Sequence, residues 1–541
     1  MPRFYGPYSR LRRKVLQKKA QMGNKSLFQF LLPLFASISN QENSISTVKW
    51  IVVAIYLGTG SSKGDRGGMV HEAHKNWNPF KWKSMQGIIM EGILAACLLS
   101  NCLATDPSYD HQSQTYAATY APAKFTGSHT IAPFFAPEHA ADTLTNLIEE
   151  ADESVDISTP SASSWTSSCS GYADDDSVVE SCTPGCTPAE QKNETFPIFP
   201  ALINALHRGV KIRILTNDYG SPDCPGTITM LQYLALNGAD IRYFTTVTFV
   251  HSKYISIDNG KSISVSSINW SRTSMTKNRE AGALISEAPA LADYMQTVFD
   301  ADFAQAYALI PSDDWPDKDL AIITDSADLD IVMPSIPTES DDPNLFVSPD
   351  VSLSSVTTSV NTTTTVQASP DSAWESIKSD FEAVTSSLQV AMYQITTPEI
   401  CDELVSLFQK GINISLLVSS RVYDESDCKD AQTCYATLYS HGIQIRKTST
   451  DYSYSHNKYW IRDGVSVAWS TGNWSPSDYP TNHTNNYPVY GEPDWWKANR
   501  DFTVYTDSSD VVKQFNTVFN QDWYAPYTYP WQPTYDIYCG Y

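Results

Sequence analysis

The feature that most constrains this chain is a short pattern that occurs twice. His251-Ser252-Lys253 is closed by Asp258, and His456-Asn457-Lys458 by Asp463, so both read H-x-K-x-x-x-x-D. Each is followed at nearly the same distance by a polar tail, Ser266-Ser267-Ile268-Asn269-Trp270-Ser271 and Ser470-Thr471-Gly472-Asn473-Trp474-Ser475. A later echo sets Asn278-Arg279-Glu280 against Asn499-Arg500-Asp501. A lone H-x-K is most often a surface pair on an edge strand. Two in order, with matching tails, mark a duplicated unit whose copies share one purpose.

The duplication reaches beyond the motif. Residues 202–210 parallel 404–412, each an amphipathic helix end capped by glycine and running into a strand at 211–216 or 413–418. Residues 234–243 parallel 438–447 in the same way, and the motif strand follows in both copies. Helix alternating with strand predicts an α/β chain whose sheets are largely parallel and covered on both faces. The first repeat is read as residues 125–333 and the second as 373–541, with the Ser/Thr/Pro-rich stretch 334–372 as a linker. An extra stretch in the first copy, about residues 160–195, reads as a disulfide-held surface loop.

The H-x-K spacing places His and Lys on one face of a strand, because side chains two apart point the same way. An imidazole beside an ammonium suits chemistry on a phosphodiester: the lysine holds phosphate oxygens, and the histidine titrates near neutrality as nucleophile or acid. The Ser/Thr and Asn tails (Ser267, Asn269, Thr471, Asn473) are read as neutral donors to the same oxygens. No cluster of metal ligands is recognisable, and neither metal nor cofactor is expected, because two lysines supply the charge that metals provide elsewhere.

The doubled motif resembles the phospholipase D superfamily, the "HKD" enzymes, over roughly residues 125–530. The resemblance implies two phospholipase-D-like α/β/α sandwich repeats packed pseudo-symmetrically around one shared active site. It implies a two-step displacement in which one histidine forms a phosphohistidine and the other protonates the leaving oxygen, then activates water. Family precedent would make His251 the nucleophile and His456 the acid and base, a choice that sequence symmetry leaves open. Lys253, Lys458, Asn269 and Asn473 would stabilise the oxygens. Glu280 and Asp501 would orient the histidines, and Asp258 and Asp463 would be positional. The ending Phe519-Asn520-Gln521-Asp522-Trp523-Tyr524-Ala525-Pro526-Tyr527 and the N-W-S tails are most similar to animal lysosomal phospholipase-D-like proteins. Those act as 5′ exonucleases on single-stranded nucleic acid. The C-terminal aromatics are read as a docking tail packed on the second repeat, with base stacking as the other reading.

Charge and cysteines bear on compartment. Residues 1–84 carry 14 Lys/Arg against 3 Asp/Glu, leaving 23 against 57 in the remainder, so a basic, non-globular extension precedes a strongly acidic body. Residues 85–104 have the basic, apolar and small-residue order of a secretory signal, read either as cleaved or as a membrane-associating signal anchor. Eight cysteines remain beyond it, an even number that fits disulfides in an oxidising lumen, lysosomal or secreted. Sequons at Asn193, Asn361, Asn413 and Asn482 fit glycosylation there, whereas Asn269 and Asn473 are expected to stay unmodified inside the site. An acidic body repels polyanions, so the choice of single-stranded nucleic acid over a phospholipid head group rests on the resemblance. Besides a phospholipase D or transphosphatidylase, a catalytically silent membrane-associated binding protein remains a distinct alternative.

Overall fold

In the computed structural model, the described residues are 120–162, 198–217, 230–244, 248–311, 352–480, 498–533 and 537–540, with short strands at Tyr109–Asp110 and Thr115–Tyr116. All lie within one compact unit, Thr105–Tyr541. The basic extension, the signal-like segment and most of the 160–195 loop fall outside them. Among the described residues no helix is long and apolar enough to cross a membrane.

Apolar side chains at helical spacing form the predicted amphipathic helices. Leu202 and Ala205 of Phe199–His207 are buried, as are Leu404 and Leu407 of Pro398–Gln409. Gly209 and Gly411 end these helices at φ 87° and 91°, a conformation that only glycine adopts without strain. Each helix delivers the chain into a central strand, Lys211–Asn217 and Asn413–Val418.

The two sheets match strand for strand. One runs Tyr307–Ala308, Asp240–Phe244, Lys211–Asn217, Ser154–Ser158, Tyr254–Ile257, Ser262–Ser266, Glu280–Ser286, Thr130–Ala136, Val356–Thr357. The other runs Tyr529–Pro530, Gln444–Lys447, Asn413–Val418, Ser387–Met392, Lys458–Arg462, Ser466–Ser470, Ala498–Thr506, Thr363–Ser369, Ala123–Thr126. The outermost strands are exchanged: Ala123–Thr126 opens the chain's first half but pairs in the second sheet, and Val356–Thr357 pairs in the first.

The inner faces of both sheets meet in one core, where Tyr254, Val265 and Ala283 join Tyr459, Val467 and Trp469. The helices Pro289–Gln305 and Ser509–Tyr524 pack into the same core through Val298, Phe299, Phe515 and Phe519. Separate clusters cover the outer faces of each sheet. The architecture is therefore α/β, with two pseudo-symmetric layered repeats.

Two expectations need correction. The sheets are mixed: within each repeat the parallel strands are those joined through helices, Ser154–Ser158 with Lys211–Asn217 with Asp240–Phe244 and their counterparts, and one further parallel pair, Thr248–Val250 on Ala498–Thr506, crosses between repeats. The motif strands instead return through tight hairpins, which impose antiparallel pairing. The stretch 334–372 is also not linker throughout. Thr363–Ser369 lies inside the second sheet between Ala498–Thr506 and Ala123–Thr126, and its three successive threonines are at home there because they are β-branched.

Cys401–Cys434 and Cys428–Cys539 are disulfide-bonded, tying the helix Glu425–Ser440 to its neighbour and to the C-terminal strand. The C-terminal aromatics divide: Trp523 and Trp531 are buried, whereas Tyr524, Tyr527 and Tyr529 are exposed.

Candidate active site

Both motifs sit where a strand begins. His251 and His456 lie just ahead of Tyr254–Ile257 and Lys458–Arg462 rather than within them. The closing aspartates act at the far ends of those strands. Asp258 and Asp463 occupy left-handed turns at φ 48° and 54°. Asp258 accepts the amides of Asp152, Glu153 and Ser154, and Asp463 those of Thr385, Ser386 and Ser387. Burial pushes both carboxyls up, but these amides outweigh it and hold both below the ordinary range. They pin the motif strand to the neighbouring central strand, far from the chemistry.

At the near ends the repeats interlock. The amides of His251 and Ser252 donate to the Arg500 carbonyl, and Thr248–Val250 runs parallel to 498–500 of the other repeat. Reciprocally, the His456 amide donates to the Arg279 carbonyl at 2.7 Å. Each histidine is thus fixed to the residue preceding a carboxylate of the opposite half. His456 Nδ1 lies 2.8 Å from Glu280 Oε2, and His251 Nδ1 lies 3.1 Å from Asp501 Oδ1. The sequence echo between Glu280 and Asp501 therefore marks two carboxylates that orient imidazoles across the repeat boundary.

Arg279 and Arg500, inside the same echoes, are not surface partners of those carboxylates. Both are essentially inaccessible to solvent. Arg279 bridges Glu138 and Asp522, and Arg500 bridges Asp371 and Asp302. Each clamp joins one repeat to a helix of the other.

Ser267 and Thr471 also differ from expectation. Their hydroxyls donate to Glu280 Oε2 and Asp501 Oδ1, both at 2.6 Å, so they hold the carboxylates instead of facing phosphate. Asn269 is half-buried and Asn473 buried. The buried Asn473 side-chain oxygen makes no hydrogen bond among the described residues.

Sequence reasoning missed Asp478. It is fully buried, and its Oδ1 lies 3.2 Å from His251 Nδ1. The tails register it: Asp478 stands five residues after Asn473, where the first copy has Ser274 five after Asn269. The ligand atoms of His251, Asp478 and Asp501 lie within 4.8 Å of one another, close enough for a cation. Their remaining lone pairs are largely taken, however, by Thr471, Asn473, Ser475 and Asn499.

The lysines face inward. Lys253 Nζ donates to the carbonyls of His251 and Thr471, and Lys458 Nζ reaches His456 Nε2 at 2.9 Å. Burial lowers Lys253 to about 8 against the pull of Asp501, Asp478 and Glu280. Burial, reinforced by Lys253, depresses Lys458 further. Burial also pushes His456 down to about 4, against the pull of Glu280 and with Lys458 and Lys253 adding to the fall. His251 goes the other way: burial opposes its proton, but Asp501 and Asp478 raise it overall against Lys253. The bond from Lys253 of the first repeat to the Thr471 carbonyl of the second brings the two halves into one site. A phosphate entering between the lysines would restore their charge, which is how a buried cation pair becomes anion-selective.

The chain is similar to several known proteins. Residues 186–303 and 377–523 match the family described as "Cardiolipin synthase, PLD-like domain". Phospholipase D Z of Dictyostelium discoideum is 23% identical over 352 residues, covering 62% of this chain and 76% of its own. Among solved structures, a phosphatidylserine synthase of Haemophilus influenzae aligns over 76% of this chain and 91% of its own, with 11% identity and a TM-score of 0.45. Nuc of Salmonella typhimurium, a phospholipase D family member, aligns over 35% of this chain and 99% of its own, with 18% identity and a TM-score of 0.24. With its doubled motif and its family match, the chain belongs to the phospholipase D superfamily of phosphodiester-acting enzymes.

Proposed function

We propose that this protein cleaves phosphodiesters through a covalent phosphohistidine, and that its substrate is single-stranded DNA or RNA trimmed from the 5′ end in an acidic lumen. The observation that carries the mechanism is the exchange across the seam. Each imidazole comes from one repeat and its carboxylate from the other, so the site is complete only when both halves are present. Two imidazoles supply a nucleophile and an acid, and two lysines supply charge for the phosphoryl oxygens.

Rings near the histidines support a nucleic acid. Buried Tyr393 packs edge-on against His456 at 4.8 Å and against Tyr454, while half-buried Phe249 lies 6.5 Å from His251, where a terminal base can stack. Among the described residues, the exposed aliphatic side chains Ile310, Val360 and Val465 lie at strand ends away from the histidines. The two disulfides support an oxidising compartment.

A second reading, a phospholipase D on glycerophospholipids, is favoured by the acidic body and by the name of the Dictyostelium relative. A head group one phosphate wide tolerates a repulsive surface better than a polyanion does. The test offers the purified protein a 5′-hydroxyl single-stranded oligonucleotide and, separately, phosphatidylcholine vesicles, at mildly acidic pH with a strong chelator and with His251→Ala as control. Oligonucleotide shortening that disappears in the variant is expected. Choline release alone would replace the nuclease reading with the lipid one. Silence on both would move the protein to the binding class, and activity abolished by chelation would sink the metal-free mechanism.

A further inference from the structure

We propose that the two half-sites are set in advance to different roles, with His456 attacking phosphorus and His251 delivering the proton, and that Asp478 sets the difference. This rests on the phosphohistidine reading above but reverses the order that family precedent implies.

Lys458 Nζ stands 2.9 Å from His456 Nε2. With phosphate present to hold the amine charged, the proton between them rests on Lys458, and His456 Nε2 carries a lone pair that the ammonium frees for attack by turning to a phosphoryl oxygen. The other ring nitrogen then carries hydrogen and donates it to Glu280. Glu280 and Lys458 balance each other, leaving the His456 imidazole neutral.

The His251 cluster is built otherwise. Asp478 receives the Asn473 amide at 2.7 Å, the Ser475 hydroxyl at 2.8 Å and the Asn499 side-chain amide. A fully buried carboxyl ringed by donors is held ionised. Asp501 accepts from Thr471, but burial and the neighbouring Asp478 raise its carboxyl, so its charge depends on the cations at His251 and Lys253. Two carboxyl groups therefore face His251 Nδ1, with Lys253 as the other cation that acts on them among the described residues, and an imidazolium at His251 offsets the remaining charge. In the first repeat Ser274 occupies the position of Asp478 and bonds Ser271 and Asn278, adding no charge.

The steps balance. His456 Nε2 uses its lone pair to form a P–N bond as the P–O bond to the leaving group breaks, and His251 Nε2–H gives its proton to that oxygen. Neutral His251 then takes a proton from water, the water oxygen bonds to phosphorus, and the P–N electron pair returns to His456. Asp478 acts as a positioning residue throughout.

The test uses bis(p-nitrophenyl) phosphate, whose leaving group needs little protonation. His251→Asn should still release one equivalent of p-nitrophenol and accumulate a phosphoryl adduct, mapped by mass spectrometry to His456, and His456→Asn should release none. An adduct on His251 would overturn the inference while leaving the phosphodiesterase reading intact. Absence of any adduct or turnover in the wild-type protein would overturn both. Asp478→Ser supplies a second readout, because a lost acid matters most for a poor leaving group. Diphenyl phosphate should slow roughly tenfold more than bis(p-nitrophenyl) phosphate in this variant. Equal slowing of both would reduce Asp478 to a packing role and overturn its part in the proposal.

Discussion

Around His456 the buried donors converge on one carboxylate, Glu280; around His251 they converge on two, Asp501 and Asp478. Backbone, clamp and turn are otherwise the same in both halves, down to a buried arginine beside each orienting carboxylate. A duplicated scaffold supplies symmetry of position, and one substitution supplies asymmetry of charge. Displacement at phosphorus needs both, because attack and protonation are different jobs performed from opposite sides.

The comparison breaks most sharply at the histidines. Replacing either His251 or His456 should cut kcat for an unactivated diester on the order of 10⁴-fold, about 5 kcal/mol, with neither loss compensating the other. Steady-state kinetics would check this, and near-normal rates in both variants would refute a shared site.

The clamps come next, and there the halves should behave alike. Arg279→Ala strands Glu138 and Asp522, and Arg500→Ala strands Asp371 and Asp302. Each should cost about 3–5 kcal/mol in denaturant unfolding, because removing one partner leaves buried charge unpaired. The turn anchors should cost less. Asp258→Ala and Asp463→Ala should each lower stability by about 1–3 kcal/mol through lost amide bonds, while the pH profile of the surviving activity stays unchanged.

The smallest effect separates the halves. His456 must be neutral to attack, so kcat/KM should fall as pH drops through about 4. His251 must carry its proton, so the upper limb should lie above the ordinary 6.5. Asp478→Asn should bring that upper limb down by roughly one pH unit and leave the lower limb in place. Folding stability follows the same signs. A depressed His456 makes the protein lose stability as pH falls from 6.5 toward about 4, whereas the stability from a raised His251 is complete below 6.5 and lost as pH climbs through its folded value.

Much of this was legible in the chain because the duplication supplies its own control. The spacing of the two motifs exposed His251, Lys253, His456 and Lys458, and the later echo exposed Glu280 and Asp501. What the echo could not convey was direction. Nothing in Asn278-Arg279-Glu280 says that the carboxylate serves the other copy's histidine, because that contact exists only after the repeats pack. Asp478 escaped because it breaks the pattern that was being matched, and a search for identity passes over the position where the copies differ. Thr363–Ser369 was taken for linker because threonine reads as polar in composition although its branched side chain favours a strand. Ser267 and Thr471 were placed correctly but given the wrong partner, since a hydroxyl near a site can serve substrate or scaffold alike.

The exchanged edge strands have a consequence for how the chain comes to be folded at all. Ala123–Thr126 waits for Thr363–Ser369, a partner more than two hundred residues later, while the first sheet lacks its own edge until Val356–Thr357 has been made. Neither half is a finished object during synthesis, and a nascent first repeat leaves the ribosome with one open edge and one strand unspent. Closing contacts over such separations is slow, and the exposed edge is open to wrong pairing meanwhile. The crossing that makes two copies inseparable also delays the moment at which either can be called native.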